Sequence, residues 1–213
     1  MDLLFNTSQK FILIKDLTNE VNFSLVNDEF SKLTYKSNVS NKISYEMDFF
    51  EKDYLLGSKN AIIKNCENYL NTTMNVQPFY TGLKMTHSWG NITEPGQAHH
   101  EHVHPFSIVS GVIFLDNNPC NLNLFVEAYM PEIPYFISKN RSYVSLRDLL
   151  KDHNIDSDNA NNLQNHLVLF LSNCHHFVNP TEGTDKVRRS ISFNTFWTGL
   201  TGVSQESLGS IVF

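Results

Sequence analysis

Histidine is concentrated in one short stretch of the chain, at residues 99–104. This stretch contains four of the nine histidines, and Pro105 follows it. Because side chains alternate between the faces of a strand, His102 and His104 would share a face with Cα atoms about 6.5–7 Å apart. Two imidazoles at that separation can bind one metal ion about 2.1 Å from each nitrogen. A His-x-His pair alone is more often an ordinary surface feature, so the hypothesis needs a further ligand from elsewhere.

A second histidine pair follows another apolar run. Residues 167–171 predict a buried strand, and His175 and His176 come shortly after it. The first stretch also leads directly into an apolar segment, residues 106–115, which predicts another buried strand. Histidine at the ends of two buried strands suggests that the ends converge on one metal ion. Such a set would leave open coordination positions, which an oxygen-activating iron site requires.

Arginine and hydroxyl residues alternate in a third segment, at residues 188–194. Strand alternation would place Arg188, Ser190, Ser192 and Asn194 on one face and Arg189 on the other. A guanidinium binds a carboxylate in a bidentate manner, and a serine adds a hydrogen bond. The pattern is therefore compatible with an anion site, although an arginine at a strand start is more often in a surface ion pair.

Composition limits the class of protein. A chain of 213 residues with 41% apolar residues fits a single domain over residues 1–213. The formal net charge of −6 makes nucleic acid an improbable primary partner. An odd number of widely spaced cysteines, Cys66, Cys120 and Cys174, favours a reducing cytoplasm. No apolar stretch approaches the roughly 18 residues of a membrane span.

The N-terminal third mixes short patterns with one clear helix. Residues 10–15 and 21–25 predict short strands, and residues 28–33 predict a helical turn. Apolar residues at helical spacing predict an amphipathic helix over about 52–71. Its apolar face holds Leu55, Ile62, Cys66, Tyr69 and Leu70. We expect this helix to pack on a sheet and to carry no chemistry.

From residue 78 onward the sequence is typical of β-structure. Short strands separated by turns, without alternating helices, favour a β-sandwich or jelly roll. The capping-box pattern at residues 145–148 predicts a short helix that runs to about residue 153. The polar segment 154–162 is predicted to be a loop.

Residues 80–198 resemble the iron(II)/2-oxoglutarate-dependent oxygenase superfamily, and within it the oxygenases of marine phages and bacteria. Four motifs occur in the order of that group, which makes the resemblance far more specific than any one of them. They are Trp89-Gly90-Asn91; His102-Val103-His104-Pro105 followed by Ser110-Gly111-Val112; residues 167–170 followed by Ser172, His176 and Val178; and the run from Arg188 to Asn194.

The resemblance implies a mainly β fold, a double-stranded β-helix (jelly roll) over residues 78–198, with an N-terminal extension over 1–77. It implies that His102, His104 and His176 are the catalytic iron(II) ligands. Alignment on Val178 selects His176 over His175. Arg188, helped by Ser190, would bind the distal carboxylate of 2-oxoglutarate. The implied activity is a dioxygenase that uses O2, hydroxylates a substrate and releases succinate and CO2.

Several alternatives stay open at this point. Most of the superfamily has a carboxylate where His104 stands, and His99 with Glu101 offers a His-x-Glu pair. The neighbouring Arg189 competes with Arg188 for the anchor role. Two other functions are possible alternatives to the oxygenase. One is a cupin-like three-histidine metalloenzyme that does not use 2-oxoglutarate, and the other is a non-catalytic jelly-roll binding module.

The substrate, whether a peptidyl side chain, a nucleotide or a metabolite, does not follow from the sequence, and neither does the oligomeric state. The expected location is the cytoplasm, that of the host cell if a phage encodes the chain.

Overall fold

The computed structural model describes residues 2–7, 10–74, 82–117, 122–125, 143–152, 163–180, 185–198, 200–201 and 211–212. The helices in these ranges are α1 (Phe23–Phe30), α2 (Leu56–Met74) and α3 (Leu146–Asp152). The strands are β1 (Asp2–Thr7), β2 (Lys10–Asp16), β3 (Tyr35–Asn38), β4 (Asn41–Ser44), β5 (Gly82–Thr93), β6 (His99–His102), β7 (Val109–Phe114), β8 (Leu122–Phe125), β9 (Tyr143–Ser145), β10 (His166–Leu171), β11 (His176–Val178), β12 (Arg188–Thr198), β13 (Leu200–Thr201) and β14 (Ile211–Val212). None of the described helices combines the length and apolar character that a membrane crossing requires.

Two sheets built from interleaved strands form the centre of the fold. The eight-stranded major sheet has the order β1-β2-β10-β7-β12-β5-β4-β3, and the four-stranded minor sheet has the order β6-β11-β8-β9. From β5 to β12 the chain passes repeatedly between the two sheets, and the pairings within each are antiparallel. This is the strand order of a double-stranded β-helix, so the predicted mainly β jelly roll is confirmed.

The N-terminal strands extend the major sheet at both edges. Strand β2 pairs with β10 on one side, and β4 pairs with β5 on the other. The predicted strand at residues 10–15 is therefore present as β2. These strands cover edges that would otherwise present unpaired backbone groups. The division of the chain into an extension over 1–77 and a core over 78–198 stays a prediction.

The segment 21–25, predicted as a strand, is instead the start of α1. The side chain of Asn22 caps this helix by accepting a hydrogen bond from the backbone N–H of Leu25 at 3.3 Å. Phe23, Val26 and Phe30 then follow at helical spacing, and Val26 and Phe30 are buried. The strand prediction was wrong. It was based on apolar residues alone, whereas the Asn22 side chain satisfies a backbone N–H at the N-terminus of a helix.

The major sheet is buried on both faces. In β10, Leu167 and Leu169 belong to the core beneath the helices, whereas Val168 and Phe170 belong to the core between the sheets. This arrangement explains why residues 167–171 form a continuous apolar run rather than an alternating one.

Helix α2 confirms the helix predicted at about 52–71. A 3₁₀ turn at Asp53–Leu55 leads into it. The predicted apolar face is fully buried in the helix-side core, with exposures of 1% or less for Leu55, Ile62, Cys66, Tyr69 and Leu70. The helix predicted after residue 145 is present as α3, and Ser145 caps it, because its hydroxyl accepts from the backbone N–H of Asp148 at 3.0 Å. The predicted loop at 154–162 lies outside the described residues.

The buried strand predicted over residues 106–115 is shorter and begins later. Strand β7 starts at Val109, and Phe106 is 92% exposed with a positive φ of 58°. The chain turns at Pro105 and Phe106 before it enters the sheet. Proline lacks the N–H that a continuing strand would need, so the turn separates the histidine stretch from β7.

Gly111 in β7 leaves room for side chains from the two neighbouring strands, β10 and β12. A Cβ atom at this position would lie 2.4 Å from Cζ of Phe193 and 2.8 Å from Cδ2 of Leu169. We predict that Gly111→Ala lowers the free energy of unfolding by about 1–3 kcal/mol through overpacking, measured by urea denaturation.

A matched control is Gly57→Ala in α2, where no atom lies within 4 Å of the added Cβ. This change should leave stability unchanged or raise it by up to about 1 kcal/mol. Combining Gly111→Ala with Phe193→Leu should cost less than the sum of the single changes. Wild-type stability of Gly111→Ala would contradict the packing account.

Candidate metal centre

Three imidazoles converge at one end of the space between the sheets. One ring nitrogen from each of His102, His104 and His176 lies within 4.8 Å of the others. The ring centroids are 4.2 Å apart for His102 and His176, and 5.0 Å apart for each of the other two pairs. His102 and His176 are direct cross-strand partners in β6 and β11. The two histidine-bearing strand ends, far apart in sequence, therefore meet.

Backbone carbonyls fix the orientation of two of these rings. Nδ1 of His102 lies 2.8 Å from the carbonyl oxygen of His100, and Nδ1 of His176 lies 2.9 Å from that of Cys174. A carbonyl only accepts, so each Nδ1 must carry the proton and donate it. Each Nε2 then presents its lone pair toward the centre of the cluster, as metal-binding histidines do.

His104 reaches the cluster by a different route from the one predicted. Strand β6 ends at His102, so His104 does not share a regular strand with it. Instead, the backbone N–H of His104 donates to the carbonyl of Ser172 at 2.9 Å. Its ring lies against the indole of Trp89, with centroids 5.8 Å apart. The position of His104 thus depends on the loop between β10 and β11.

Buried hydroxyls hold that loop in place. The hydroxyl of Ser172 lies 2.8 Å from those of Ser110 and Ser107, and the Ser110 hydroxyl donates to Oδ1 of Asn194 at 2.8 Å. The network ties β7 and β12 to the segment whose carbonyl binds His104. The motif residues Ser110, Ser172 and Asn194 therefore stabilise the loop that positions His104. Asn194 itself does not line the cavity.

Arg188 lies in the same cavity as the imidazoles. It is 6% exposed, and its Nη2 donates to Oγ1 of Thr93 at 3.2 Å. Ser190 and Ser192 follow on the same face of β12 and also line the cavity. Apolar side chains, including Phe114 and Phe170, form another part of the wall. A buried cation thus lines the same cavity as the three imidazoles.

Arg189 points to the opposite face of the sheet. Its Nη2 donates to Oδ1 of Asp116 at 2.6 Å, and its guanidinium lies 5.7 Å from the ring centre of Phe30. The hydrogen bonds that Arg189 donates to the carboxylate of Asp116 raise the pKa of Arg189. The geometry therefore leaves Arg188 as the arginine within the cavity.

The His-x-Glu alternative does not form a comparable cluster. The carboxylate of Glu101 lies 2.9 Å from Nδ1 of His175, on the outer side of the β6–β11 pair. His99 does face the cavity, where its ring stacks on that of His102 with centroids 4.7 Å apart. Among the described residues, only the set His102, His104 and His176 has ligand atoms close enough for one ion.

Burial keeps the cluster uncharged. Desolvation, followed by the neighbouring histidines, lowers the pKa of His104 to about 4 and the pKa of His99 to about 3. The same cause lowers the pKa of His102, and it holds the pKa of His176 well below its usual value. The imidazoles are therefore neutral near pH 7, each with one unprotonated ring nitrogen, which is the state that binds a metal. Neutral nitrogen ligands suit iron(II) and similar divalent ions.

Two buried amides in the cavity wall were not predicted as site residues. Asn91 donates from Nδ2 to Ser192, and Asn41 accepts at Oδ1 from Asn38. The Oδ1 of Asn91 and the Nδ2 of Asn41 have no hydrogen-bond partner among the described residues. Asn91 belongs to a recognised motif, but Asn41 comes from the N-terminal region, where the sequence carries no signal of a site.

The family of the chain follows from a sequence comparison. A family model described as "Putative 2OG-Fe(II) oxygenase" matches residues 87–194, just over half of the 213-residue chain. The chain belongs to this family. The oxygenase is thus an enzyme whose cofactors are iron(II) and 2-oxoglutarate, with O2 as the oxidant. No curated protein matches the sequence.

Solved structures share the fold at low sequence identity. HygX from Streptomyces hygroscopicus, with nickel, 2-oxoglutarate and hygromycin B bound, has a TM-score of 0.55 at 9% identity over 89% of this chain and 82% of that chain. The α-ketoglutarate-dependent epimerase SnoN from nogalamycin biosynthesis has a TM-score of 0.57 at 9% identity, over 87% and 77%. An oxygenase-family oxidoreductase from Burkholderia pseudomallei has a TM-score of 0.51 at 8% identity, over 81% and 76%.

The lowered histidine pKa values predict how the stability of the metal-free oxygenase depends on pH. In the unfolded chain a histidine titrates near pH 6.5, but in the fold these groups titrate lower. As pH falls below about 6.5, the unfolded chain therefore binds more protons than the folded one, and the free energy of unfolding falls. Each such group contributes at most about 1.4 kcal/mol per pH unit. Urea denaturation between pH 7 and pH 4, in chelator, measures the slope.

The variant His104→Asn provides the comparison that isolates this effect. Carboxylates such as Asp16 and Glu29 also have lowered pKa values, and they contribute in the same direction at lower pH. Those contributions are common to both proteins. We expect a shallower slope between pH 6.5 and 4 in the variant, and equal slopes would contradict the burial account.

Proposed function

We propose that this oxygenase hydroxylates its substrate while it converts 2-oxoglutarate and O2 to succinate and CO2. One oxygen atom of O2 enters a C–H bond of the substrate, and the other enters succinate. The observation that carries the proposal is the placement of three neutral imidazoles and a buried arginine around a single cavity.

The three histidines would hold iron(II) through one ring nitrogen each. Nε2 of His102 and of His176 is directed inward because Nδ1 is engaged by a carbonyl. The ring of His104 is placed by its backbone bond to Ser172 and by Trp89. Bound iron(II) supplies the site at which 2-oxoglutarate and O2 react. The set carries one negative charge fewer than two histidines and a carboxylate, which favours an anionic cosubstrate.

Arg188 supplies the positive charge that an anion needs in this cavity. We propose that its guanidinium binds the distal carboxylate of 2-oxoglutarate and that the Ser190 hydroxyl adds a hydrogen bond. Burial strengthens this contact, because a nearly enclosed cation is poorly screened by solvent. The apolar wall, including Phe114 and Phe170, limits water around the bound cosubstrate.

The competing three-histidine enzyme without 2-oxoglutarate needs no arginine in this cavity. The burial of Arg188 beside Thr93 supports the 2-oxoglutarate enzyme instead. SnoN is an epimerase, so enzymes that share this fold catalyse more than one outcome. Product analysis by mass spectrometry, with succinate quantified against substrate consumed, tests hydroxylation directly. A mass gain of one oxygen per succinate supports it, and unchanged substrate mass contradicts it.

We also propose a reducing compartment, the cytoplasm, as the place of action. Cys66 and Cys174 are buried in different hydrophobic clusters, and they form no disulfide with each other.

We predict that His102→Ala, His104→Ala and His176→Ala each lose iron(II) binding and 2-oxoglutarate-dependent succinate release while the fold survives. Each change removes one of three nitrogen ligands. Iron content after anaerobic loading and succinate yield measure the two effects, and circular dichroism checks the fold.

His175→Ala is the matched control, because this neighbouring ring contacts Glu101 on the outer side. It should retain iron and most activity. Wild-type iron content and succinate release in any of the three cluster variants would remove that residue from the ligand set.

Removal of the cosubstrate anchor should be separable from removal of the metal. We predict that Arg188→Ala weakens 2-oxoglutarate binding about ten- to a hundred-fold, which corresponds to the loss of a charge-assisted hydrogen bond. Iron binding should persist. Isothermal titration of 2-oxoglutarate into the manganese(II)-loaded protein measures the affinity.

Arg189→Ala is the natural comparison, since its guanidinium binds Asp116 outside the cavity. It should bind 2-oxoglutarate as the wild type does. The reverse pattern, with Arg189 required and Arg188 dispensable, would contradict the proposed anchor.

A further inference from the structure

The side-chain amide of Asn41 is buried in the wall of the cavity and lacks an acceptor. Asn41 is the first residue of β4 and is 4% exposed. No acceptor among the described residues lies within hydrogen-bond distance of its Nδ2. A buried N–H group without a partner destabilises a fold, so such a donor in a cavity wall indicates that a ligand or water satisfies it.

Strand register places Asn41 in line with the arginine of the cavity. Lys42 pairs with Ile92, so the antiparallel register brings the preceding residue, Asn41, beside Thr93. Thr93 in turn pairs with Arg188 in β12. The three side chains thus form one row across β4, β5 and β12, and all three line the cavity. Neighbouring strands lie about 4.8 Å apart, so the amide and the guanidinium flank a space that a carboxylate can span.

A neighbouring side chain sets the direction of the amide. Nδ2 of Asn38 donates to Oδ1 of Asn41 at 3.0 Å across the β3–β4 hairpin. The oxygen of Asn41 is therefore occupied, and its NH2 group is the part that is left without a partner among the described residues. Asn38 also lies 3.4 Å from Nε2 of His99, whose ring stacks on that of His102. The hairpin is thus connected to the metal cluster as well as to the arginine.

We propose that Asn41 donates a hydrogen bond from Nδ2 to the distal carboxylate of 2-oxoglutarate and so helps the site select dicarboxylate 2-oxo acids. The inference rests on the proposed function of Arg188 as anchor. Arg188 neutralises the carboxylate from one side, and the amide satisfies an oxygen from the other. Asn41 is a binding residue that lies outside the matched family region, residues 87–194.

The test compares two ligands that differ only at the distal end. In 2-oxopentanoate a methyl group replaces the distal carboxylate, while the chelating 2-oxo acid group is the same. Affinities are measured by isothermal titration into manganese(II)-loaded protein. For Asn41→Ala we expect about tenfold weaker binding of 2-oxoglutarate and unchanged binding of 2-oxopentanoate. Asn41→Asp has nearly the same shape but places a carboxylate beside a carboxylate, so its loss should be larger.

Lys42→Ala is the control from the same strand, because its ammonium binds Glu94 at the surface. It should bind both ligands as the wild type does. Manganese affinity and thermal melting of each variant establish that metal site and fold are intact.

The outcomes separate this inference from the proposed function. Failure of the wild-type protein to bind 2-oxoglutarate would contradict both the proposed function and the role of Asn41. If Arg188→Ala weakens binding of 2-oxoglutarate but Asn41→Ala and Asn41→Asp do not, only the role of Asn41 is overturned. An equal loss for both ligands would also overturn it, because that result indicates a structural effect.

If the Asn41 variants fail to fold, the wild-type protein still decides. In the zinc-loaded, ¹⁵N-labelled protein, the side-chain amide resonance of Asn41 should shift on addition of 2-oxoglutarate and much less with 2-oxopentanoate. Equal shifts with both ligands would overturn the proposal.

Discussion

The burial of three imidazoles against one another is the constraint on which the site depends. Uncharged rings tolerate this packing, whereas protonated rings would repel each other in a poorly solvated space. Desolvation lowers the pKa of these histidines, and that keeps their nitrogens available as ligands. Burial therefore lowers the stability of the fold at acid pH, and the same burial makes the cluster suitable for a divalent metal.

The two sheets supply this burial by bringing distant strand ends together. The β6–β11 pairing sets His102 opposite His176, although 73 residues of sequence separate them. The third ring depends on a buried hydroxyl network, because the carbonyl of Ser172 holds the backbone of His104. The jelly roll thus places two ligands through strand pairing and one through a supported loop.

Much of this arrangement was predictable because it follows from periodicity. Alternation along β12 predicted that Arg188 and Arg189 take opposite faces, and the apolar run of β10 predicted a buried strand. Helical spacing predicted the buried face of α2. In each case a local pattern determines which face of an element meets the core.

Other features depend on tertiary contacts that no local pattern encodes. His104 was expected within a strand, but Pro105 and the turn at Phe106 end the regular pairing, and a distant carbonyl positions the residue instead. At the start of α1, the hydrogen bond between Asn22 and Leu25 favours a helix, although the apolar residues there predicted a strand. Asn41 reached the cavity only because β4 joins the edge of the major sheet beside β5, a pairing between segments about fifty residues apart.

The account of a single cavity that binds metal and cosubstrate together is tested most directly by anaerobic absorption spectroscopy. Iron(II) is added to the metal-free protein, and 2-oxoglutarate is then titrated in. Chelation of iron(II) by a 2-oxo acid produces a visible metal-to-ligand charge-transfer band. We predict that this band appears only when protein, iron(II) and 2-oxoglutarate are all present, and that it saturates at one equivalent of iron per chain. Absence of the band at saturating cosubstrate, or an undiminished band in His176→Ala, would contradict the account.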